Sequence, residues 1–590
     1  MKLSHFRFVA GSLVLLMYSQ SGLGRIACRE VMLPKLTAAQ IKILQERHNV
    51  DPNYVLVSPD GLSVKIRGTG HETLAPDLSP GAKTVREIEK FDVTIVATGP
   101  AAMMAAIRAA RAGLKVRMLE RNPSEKVGGL ANGSNVNGVE AGSAAAYSAG
   151  PGNKWEYKDF QTIGLGNYKQ LFSIKGDIDA YKWRGKIYKE PFHEHSLKEL
   201  PVSFLLYKFA QERLIKMGGS DLGEALGKKL DDIDMATLMR SMPTLMKEWT
   251  KDKKHISKKY RDEYTEILKK LEHDALVDKK DPMIEVIKFL NLYGRSALGG
   301  ETHQISARQF LDFYESEMGM RYTGQMGTGT VMAYMMKTLQ PYIKSGRVEI
   351  VSSAPVVKVE NKGDESVITT YLKDGQYIEV ESKYAVYGAS VDKANKIIPE
   401  IAKKDPKKAA AIARMDMSDY LVVVVRVKGE RLPEAYDIWV DENGNLVAPT
   451  DYINGRWQAG RPDDKGVISI YMPFTDSQPN RFTKENTLRL TDLAIKHMKK
   501  HFGEDIEVEL AEANPYPNSI HKVFPGFGKI MPDLARPLGR IFFANNTIGS
   551  PELESAMHAG TKAAYEIIEK LTGKKMNREP QSVKSLRQAM

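Results

Sequence analysis

The chain has 590 residues, 42% of them hydrophobic and 27% charged, as in a globular protein of more than one domain. Its 85 basic and 73 acidic residues leave a net charge of +12 that is spread along the length. With no finger, helix-turn-helix or aromatic-basic pattern, it does not read as a nucleic-acid binder. The one cysteine, Cys28, leaves no partner for an intrachain disulfide and no spaced Cys/His set for a metal.

Residues 1–24 read as a signal peptide. Lys2, His5 and Arg7 precede the apolar stretch 8–18, too short to span a membrane comfortably, and small residues follow at Ser19, Ser21, Gly22 and Gly24. Export to a periplasm or the exterior is expected, with a membrane anchor through the same segment as the alternative. Arg25 stands where a lipobox before Cys28 would want an aliphatic residue, and no twin arginine is present. Residues 29–90 form an N-terminal extension. A short helix is expected at 37–48, a hairpin from 54–57 and 62–67 around Pro59-Asp60-Gly61, and a linker at 76–83.

Residues 91–122 hold strand, turn, helix and strand in the order a dinucleotide-binding βαβ unit needs. Val93 to Ala97 suits a buried parallel strand, Pro100 tolerates a first helical turn, and 101–112 should be helical up to Gly113. Against G-x-G-x-x-G, the turn Ala97-Thr98-Gly99-Pro100-Ala101-Ala102 keeps only the middle glycine. Alanine is allowed at the third place, so Ala97 is the departure that matters. Glu120 closes the second strand, about 20 residues on, where a carboxylate accepts from ribose hydroxyls. That acid favours FAD or NAD over NADP.

The segment 125–146 carries Gly128, Gly129, Gly133, Gly138 and Gly142, which let backbone approach a ligand, and reads as a cofactor-lining loop. Residues 155–191 are aromatic and mixed, suited to cleft walls. From 197 to 292, apolar residues recur at helical spacing, as in Tyr260, Tyr264, Ile267, Leu268 and Leu271, which marks a helical insertion. Another helix is expected at 306–318, then Gly324, Gly327 and Gly329 precede a helix whose Met332, Met335 and Met336 suit a core. Short strands follow over 348–388 with a turn at Lys373-Asp374-Gly375, then helices at 391–398 and 406–414. The valine-rich stretch 420–427 is an interior strand, 436–472 adds more strands, 482–502 is an amphipathic helix and 506–511 a strand. The opening logic returns near the end: strand 541–544, polar loop, helix 551–571, then a frayed tail at 572–590.

These separated motifs resemble the FAD-dependent amine oxidase superfamily, which includes phytoene-desaturase-like flavoproteins. Gly128 and Gly129 match its double glycine, with Leu130 where arginine is common. Gly324, Met326 and Gly327 resemble its GGMG-type loop, with Gln325 replacing a glycine. Val356 and Val357 fall where its strand meets adenine, and 385–390 is similar to its strand and loop before a helix. RIFFANN at 540–546 and ELESAMHAG at 552–560 resemble R-I-F-F-A-G-(D/E) and L-E-G-A-x-x-S-G. The fold implied is α/β: a Rossmann-like FAD-binding domain with an inserted mixed-sheet and helical substrate domain. The FAD-binding parts would be 91–196, 301–400 and 516–572. The substrate domain would take the helical insertion 197–300 and a sheet from 401–515, leaving a tail at 573–590.

The resemblance implies FAD as cofactor, held by Gly99, Pro100, Ala101, Ala102, Glu120, Arg121, Gly128, Gly129, Gly327 and Val357. Asn545 and Asn546 stand in for the usual glycine and acid. Glu554, Ser555 and Ala556 would present free backbone N–H groups and a helix N-terminus to the flavin where negative charge gathers on reduction. Many of the family's amine oxidases carry a lysine on a strand comparable to 420–427; none is present here. Tyr516 is the candidate cage wall and Asn518 its polar neighbour; a core or loop role is equally open to each. His193, His195, His303 and His521 are further acid–base candidates. The expected activity is hydride transfer from a substrate C–H to flavin, with a small-molecule amine or polyamine favoured and no transmembrane partner implied. A desaturase or isomerase of an apolar substrate is the alternative. The departures at Ala97, Leu130, Gln325, Asn545 and Asn546 keep a non-catalytic flavin-binding or flavin-free scaffold as a third reading.

Overall fold

A computed structural model describes residues 55–57, 63–66 and 84–576, except 125–126, 137–138, 152–153, 168–173, 175–177, 218–228, 254–255, 279–280, 318–320, 429–431, 442–444, 446 and 459–465. The signal segment, the helix at 37–48, the linker at 76–83 and residues 577–590 lie outside the described residues.

Val93 and Ile95 are fully buried on the strand Thr84–Val96, which is the parallel partner of Val116–Leu119 on one side and Gln376–Tyr387 on the other. Val348–Val351 and Ile541–Phe543 extend this parallel core, and Ser366–Lys373 with Val356–Lys362 add an antiparallel wing. The first strand starts at Thr84, within the stretch expected to be extension, because Gln376–Tyr387 is long enough to pair with it from Thr84 to Val96.

The helix Pro100–Arg111 follows at once, with Gly99 as N-cap and proline in the first turn. Its alanines pack against the helix Leu553–Thr572, and a Cβ at Gly560 would sit only 2.0 Å from the Ala101 carbonyl oxygen. The two backbones therefore touch, which small residues alone permit. Arg108 binds Asp159 at 2.5 Å, and the Thr561 hydroxyl donates to the same carboxylate at 2.6 Å, which fixes the crossing.

The second sheet has the order Val55–Val57, Ser63–Ile66, Glu507–His521, Met417–Lys428, Val467–Pro473, Asp451–Asn454, Asp437–Val440, Asp179–Trp183, Lys186–Lys189. The expected hairpin before residue 70 forms, and its second strand covers the edge of Glu507–His521. The strand expected at 506–511 runs on to His521 because Met417–Lys428 pairs with it from Lys428↔Glu507 to Met417↔His521. Side chains alternate across Met417–Lys428. Leu421, Val423 and Val425 join a core with Leu490, Ala494 and Met498 of the helix Lys484–Phe502, while Tyr420, Val422 and Val424 face Tyr436 and Tyr471 on the opposite side.

The helical insertion comprises Val202–Met217, Met235–Lys251, Lys258–Asp278 and Ile284–Leu298. Asp234 caps the second by accepting from the Thr237 N–H at 2.7 Å. Ile284–Leu298 ends at Gly299, φ 71°, where a Cβ would meet Ile520 at 2.8 Å. The helix expected at 391–398 is instead a 3-10 turn, Val391–Lys393, leading into a short helix, Ala394–Ile397. Among the described residues no helix is long and apolar enough to cross a membrane.

Candidate functional site

Gly99, Glu120, Gly388 and Asn545 each stand just past the carboxyl end of a strand in the parallel core, and all four line one cavity of about 1110 Å³. The second sheet supplies the facing wall. Gly99 has ordinary extended angles, φ −65° and ψ 175°, and a Cβ there would meet nothing within 4 Å, so any side chain would project into open space. Gly129, φ 59°, backs it, with its own would-be Cβ 3.3 Å from the Gly99 Cα.

Ala97 is held at φ 87°, a region that costs a residue with a Cβ about 1–3 kcal/mol. This is the physical reason for a glycine at that place in the turn. Ala97→Gly is expected to raise stability by about 1 kcal/mol, the relieved strain exceeding the extra unfolded-state entropy. Urea unfolding checks it; an unchanged midpoint would show the strain to be absent.

The Glu120 carboxylate is buried and fixed. The Asn122 backbone N–H and its side-chain amide each donate to Oε1 at 2.9 Å, and the Thr98 hydroxyl donates to Oε2. A carboxylate offers roughly four acceptor sites, which leaves capacity for a ligand hydroxyl. Pro100, Ala101, Arg121, Val357 and Asn546 also line the cavity. Ala102, Gly128 and Gly327 do not: Ala102 packs inside the helix contact, the Gly128 N–H donates to Thr98 Oγ1 at 3.3 Å, and Gly327, φ 57°, is packed so closely that a Cβ on it would fall 2.9 Å from the Gly142 Cα. Gly327 thus shapes the wall at one remove, because the Thr328 hydroxyl beside it bonds the carbonyl of Ala145, which is in the lining.

The helix Leu553–Thr572 brings Leu553, Glu554 and Ala556 to the cavity, but Ser555 is not part of the lining. The expectation of a free N–H at Ala556 is corrected: it donates to the Glu552 carbonyl at 3.2 Å as the first hydrogen bond of the helix. Asn545 turns its amide to the protein, donating to the Ala389 carbonyl at 2.7 Å and accepting from the Thr547 hydroxyl at 2.6 Å.

The Glu554 side chain was not foreseen as a feature of its own. It is buried, with its carboxyl accepting from the Gly150 N–H at 3.0 Å and from the Ser148 hydroxyl. Burial, reinforced by Glu552, pushes its pKa up to about 8. The native state therefore holds a proton between pH 4.5 and 8 that the unfolded chain gives up, so this residue lowers stability progressively as pH rises through that window. Glu554→Gln, which keeps the neutral shape, is expected to flatten the fall on the order of 4 kcal/mol. Unfolding free energy of the flavin-free protein against pH checks it; parallel curves for the two proteins would refute it.

Tyr516 and Asn518 both line the cavity, on the strand Glu507–His521. The Tyr516 hydroxyl donates to Ser143 Oγ at 3.3 Å. Asn518 sits at φ 49°, which asparagine tolerates, with its N–H donating to buried Asp419 at 2.9 Å. Asp419 also binds Arg481 at 2.7 Å and the Gln478 N–H at 2.9 Å, anchoring a loop whose Ser477 and Gln478 are in the lining. The four histidines are all outside it. His193 and His195 form an exposed pair, and His303 is exposed beside Glu301. His521 is buried, its Nε2 2.9 Å from the Gly549 carbonyl, and burial lowers its pKa to about 4.

Sequence reasoning missed the row of polar side chains beside Tyr516. Tyr420 pairs with Tyr516 across the strands, Tyr471 packs edge-on to Tyr420 at 5.7 Å and 84°, and Asp451 pairs with Tyr471. Asp437, on the next strand, is buried and pairs with Arg321 at 3.5 Å. An acid at the start of a short apolar strand is ordinary in sequence. Only strand pairing shows that Asp437 and Asp451 enter the same cavity.

Solved structures of similar architecture cover about four-fifths of the chain. A putrescine oxidase, wild type and bound to putrescine, superposes with a TM-score of 0.52 at 15% identity over 82% of this chain and 100% of its own. The cyclohexylamine oxidase of Brevibacterium oxydans IH-35A gives 0.54 at 16% identity, with the same coverage. The chain has the fold of the FAD-dependent amine oxidases. That amine oxidase fold is shared with a protein assigned as a protoporphyrinogen oxidase from Exiguobacterium sp. 255-15, at TM-score 0.54 and 13% identity over 82% of this chain and 100% of that one. No protein-family model and no curated protein sequence matches the chain.

Proposed function

We propose that this protein is a FAD-dependent oxidoreductase that oxidises amines. One observation carries the reading: the Gly99 turn and the start of the helix at Glu554, from opposite ends of the described chain, line a single cavity with Tyr420, Tyr471, Tyr516, Asp437 and Asp451. The residues present fit FAD. Gly99 leaves open space for a pyrophosphate, Glu120 has acceptor capacity for a ribose, and the positive dipole end of the closing helix, at Leu553 and Glu554 in the lining, suits the electron-rich edge of the ring. Bound flavin would accept hydride and pass the electrons to an acceptor. The chain's own part is placement: the tyrosines bracket the substrate, and the buried acids favour a cation.

The visible spectrum after FAD reconstitution, followed anaerobically with putrescine or cyclohexylamine added, tests this reading. Bleaching of the flavin band supports it. A protein that takes up no flavin would be a scaffold. The apolar part of the wall, Phe313, Trp439, Ile453 and Ile520, supports a second reading in which an apolar chain or ring is oxidised or desaturated. Bleaching by a reduced tetrapyrrole or a polyene, and by no amine, would favour that one. Export follows from residues 1–24, and N-terminal sequencing of the mature protein checks it.

A further inference from the structure

Asp419 stands one residue before Tyr420 on Met417–Lys428, fully buried behind the cavity lining. The pairing with Glu507–His521 breaks here: Ser418 pairs with Ile520 and Tyr420 with Tyr516, which leaves Asp419 opposite Pro517, Asn518 and Ser519. This is a bulge, and its residues have lost their ladder partners. The carboxylate takes over that role, with Oδ1 accepting from the Asn518 N–H at 2.9 Å. Pro517, Asn518 and Ser519 all line the cavity.

The same carboxylate holds a loop. Phe474 and Phe482, both buried and packed edge-on at 6.0 Å and 70°, pin the ends of the segment between Val467–Pro473 and Lys484–Phe502. Between those ends Gln478 and Pro479 are exposed and yet line the cavity, so the loop forms part of its mouth. Asp419 Oδ1 also accepts from the Ser477 hydroxyl at 2.7 Å, and Oδ2 accepts from the Gln478 N–H at 2.9 Å and from the buried Arg481 guanidinium at 2.7 Å. Arg481 in turn donates to the Asp476 carbonyl and carboxylate, each at 2.6 Å, and lies over the Phe474 ring at 4.2 Å.

We propose that Asp419 is a positioning residue that clasps the bulge at 517–519 and the loop at 476–481 into one rigid rim, and that this rim selects the substrate by its size. The proposal rests on the reading of the cavity as the place where an amine is oxidised. A carboxylate has about four acceptor directions, and the bonds to Ser477, Gln478, Arg481 and Asn518 take them, so Asp419 acts through the segments it holds rather than on a ligand. Both segments are of the kind that moves when released: a bulge bends its strand, and an exposed loop tip opens at little cost. With the clasp closed the mouth keeps one width. Opened, each side shifts by itself, and a well-fitting amine loses its advantage over a bulky one. Selection of this kind acts on how substrate is held in every state alike, hence on half-saturation and not on the chemical step.

The test compares wild type with Asp419→Asn, Arg481→Met and Arg481→Lys, by hydrogen exchange of the flavin-free protein and by anaerobic flavin reduction with cyclohexylamine and the bulkier 1-naphthylmethylamine. An asparagine has one acceptor oxygen and cannot serve both segments. Asp419→Asn and Arg481→Met are expected to speed exchange at least about tenfold in peptides covering 474–483 and 514–521 together. Their half-saturation for cyclohexylamine should rise about tenfold while that for 1-naphthylmethylamine hardly changes, with the limiting rate of reduction and the affinity for FAD within about twofold of wild type. Arg481→Lys keeps the charge beside Asp419 and should recover most of each effect. Ser477→Ala, which removes a single bond, should give the same pattern in smaller measure and serves if either larger change prevents folding. Exchange that quickens at 474–483 in Arg481→Met while 514–521 stays protected overturns the clasp. So does an unchanged preference between the two amines once both segments exchange freely, or a parallel loss of flavin and of limiting rate, which would make Asp419 a plain stability residue. Wild-type flavin that neither amine reduces overturns the amine reading and the selection of amines with it, and the exchange result then decides the clasp alone.

Discussion

Gly99→Val is expected to leave the protein folded and unable to hold flavin. The backbone at Gly99 is extended, which suits a β-branched residue, and its Cβ would touch nothing, so stability should stay within about 0.5 kcal/mol of wild type. The added side chain occupies the space between the turn and the cavity, where a pyrophosphate would approach the first N–H groups of the helix. Affinity for FAD should fall at least about 100-fold, which is about 2.7 kcal/mol. Flavin retention on desalting and the thermal midpoint of the flavin-free protein read the two halves separately. Tight binding by the variant would place the pyrophosphate elsewhere and remove the reason for assigning this turn to the cofactor.

Gly560→Ala should do the opposite, damaging the fold first and the site as a consequence. Its Cβ would fall 2.0 Å from the Ala101 carbonyl oxygen; that Cβ is fixed to one helical backbone and the atom it meets belongs to another. No rotamer change relieves that; one helix must move off the other, at a cost of about 3 kcal/mol. Since Ala101 lies two residues past Gly99, and Glu554 lies on the displaced helix, flavin binding should weaken together with stability. Denaturant unfolding with and without FAD measures both. Wild-type stability in this variant would mean that the two helices do not cross at this glycine.

The contrast between these glycines shows how much of the molecule was legible in its residues. The strand, turn, helix and acid around Gly99 are a local pattern, set by side-chain periodicity and by proline and glycine chemistry over some thirty positions. They form as expected. The closing helix is equally local, but which of its N–H groups remain free depends on the cap: with Glu552 as N-cap, the Ala556 N–H is already used. Strand length failed for a similar reason. Nothing within 512–521 announces a strand, with two prolines at 515 and 517, yet the valine-rich partner pairs along it and carries Tyr516 and Asn518 into the wall. The polar row from Tyr420 to Asp451 was least legible, because its members share a face only through the register between strands that are distant in sequence.

The joint between the opening and closing helices also bears on biosynthesis. Arg108 and Thr561, hydrogen-bonded at 3.4 Å, are 453 positions apart. At roughly 5–20 residues per second, the ribosome takes about 20 to 90 seconds to travel between them. Throughout that interval the alanine face of the first helix has no native cover and the nucleotide crevice lacks one of its sides. The nascent chain therefore cannot acquire its flavin as it emerges. Loading must wait until the closing helix has been made, and until then the alanine and methionine surface of the first helix stays without that cover.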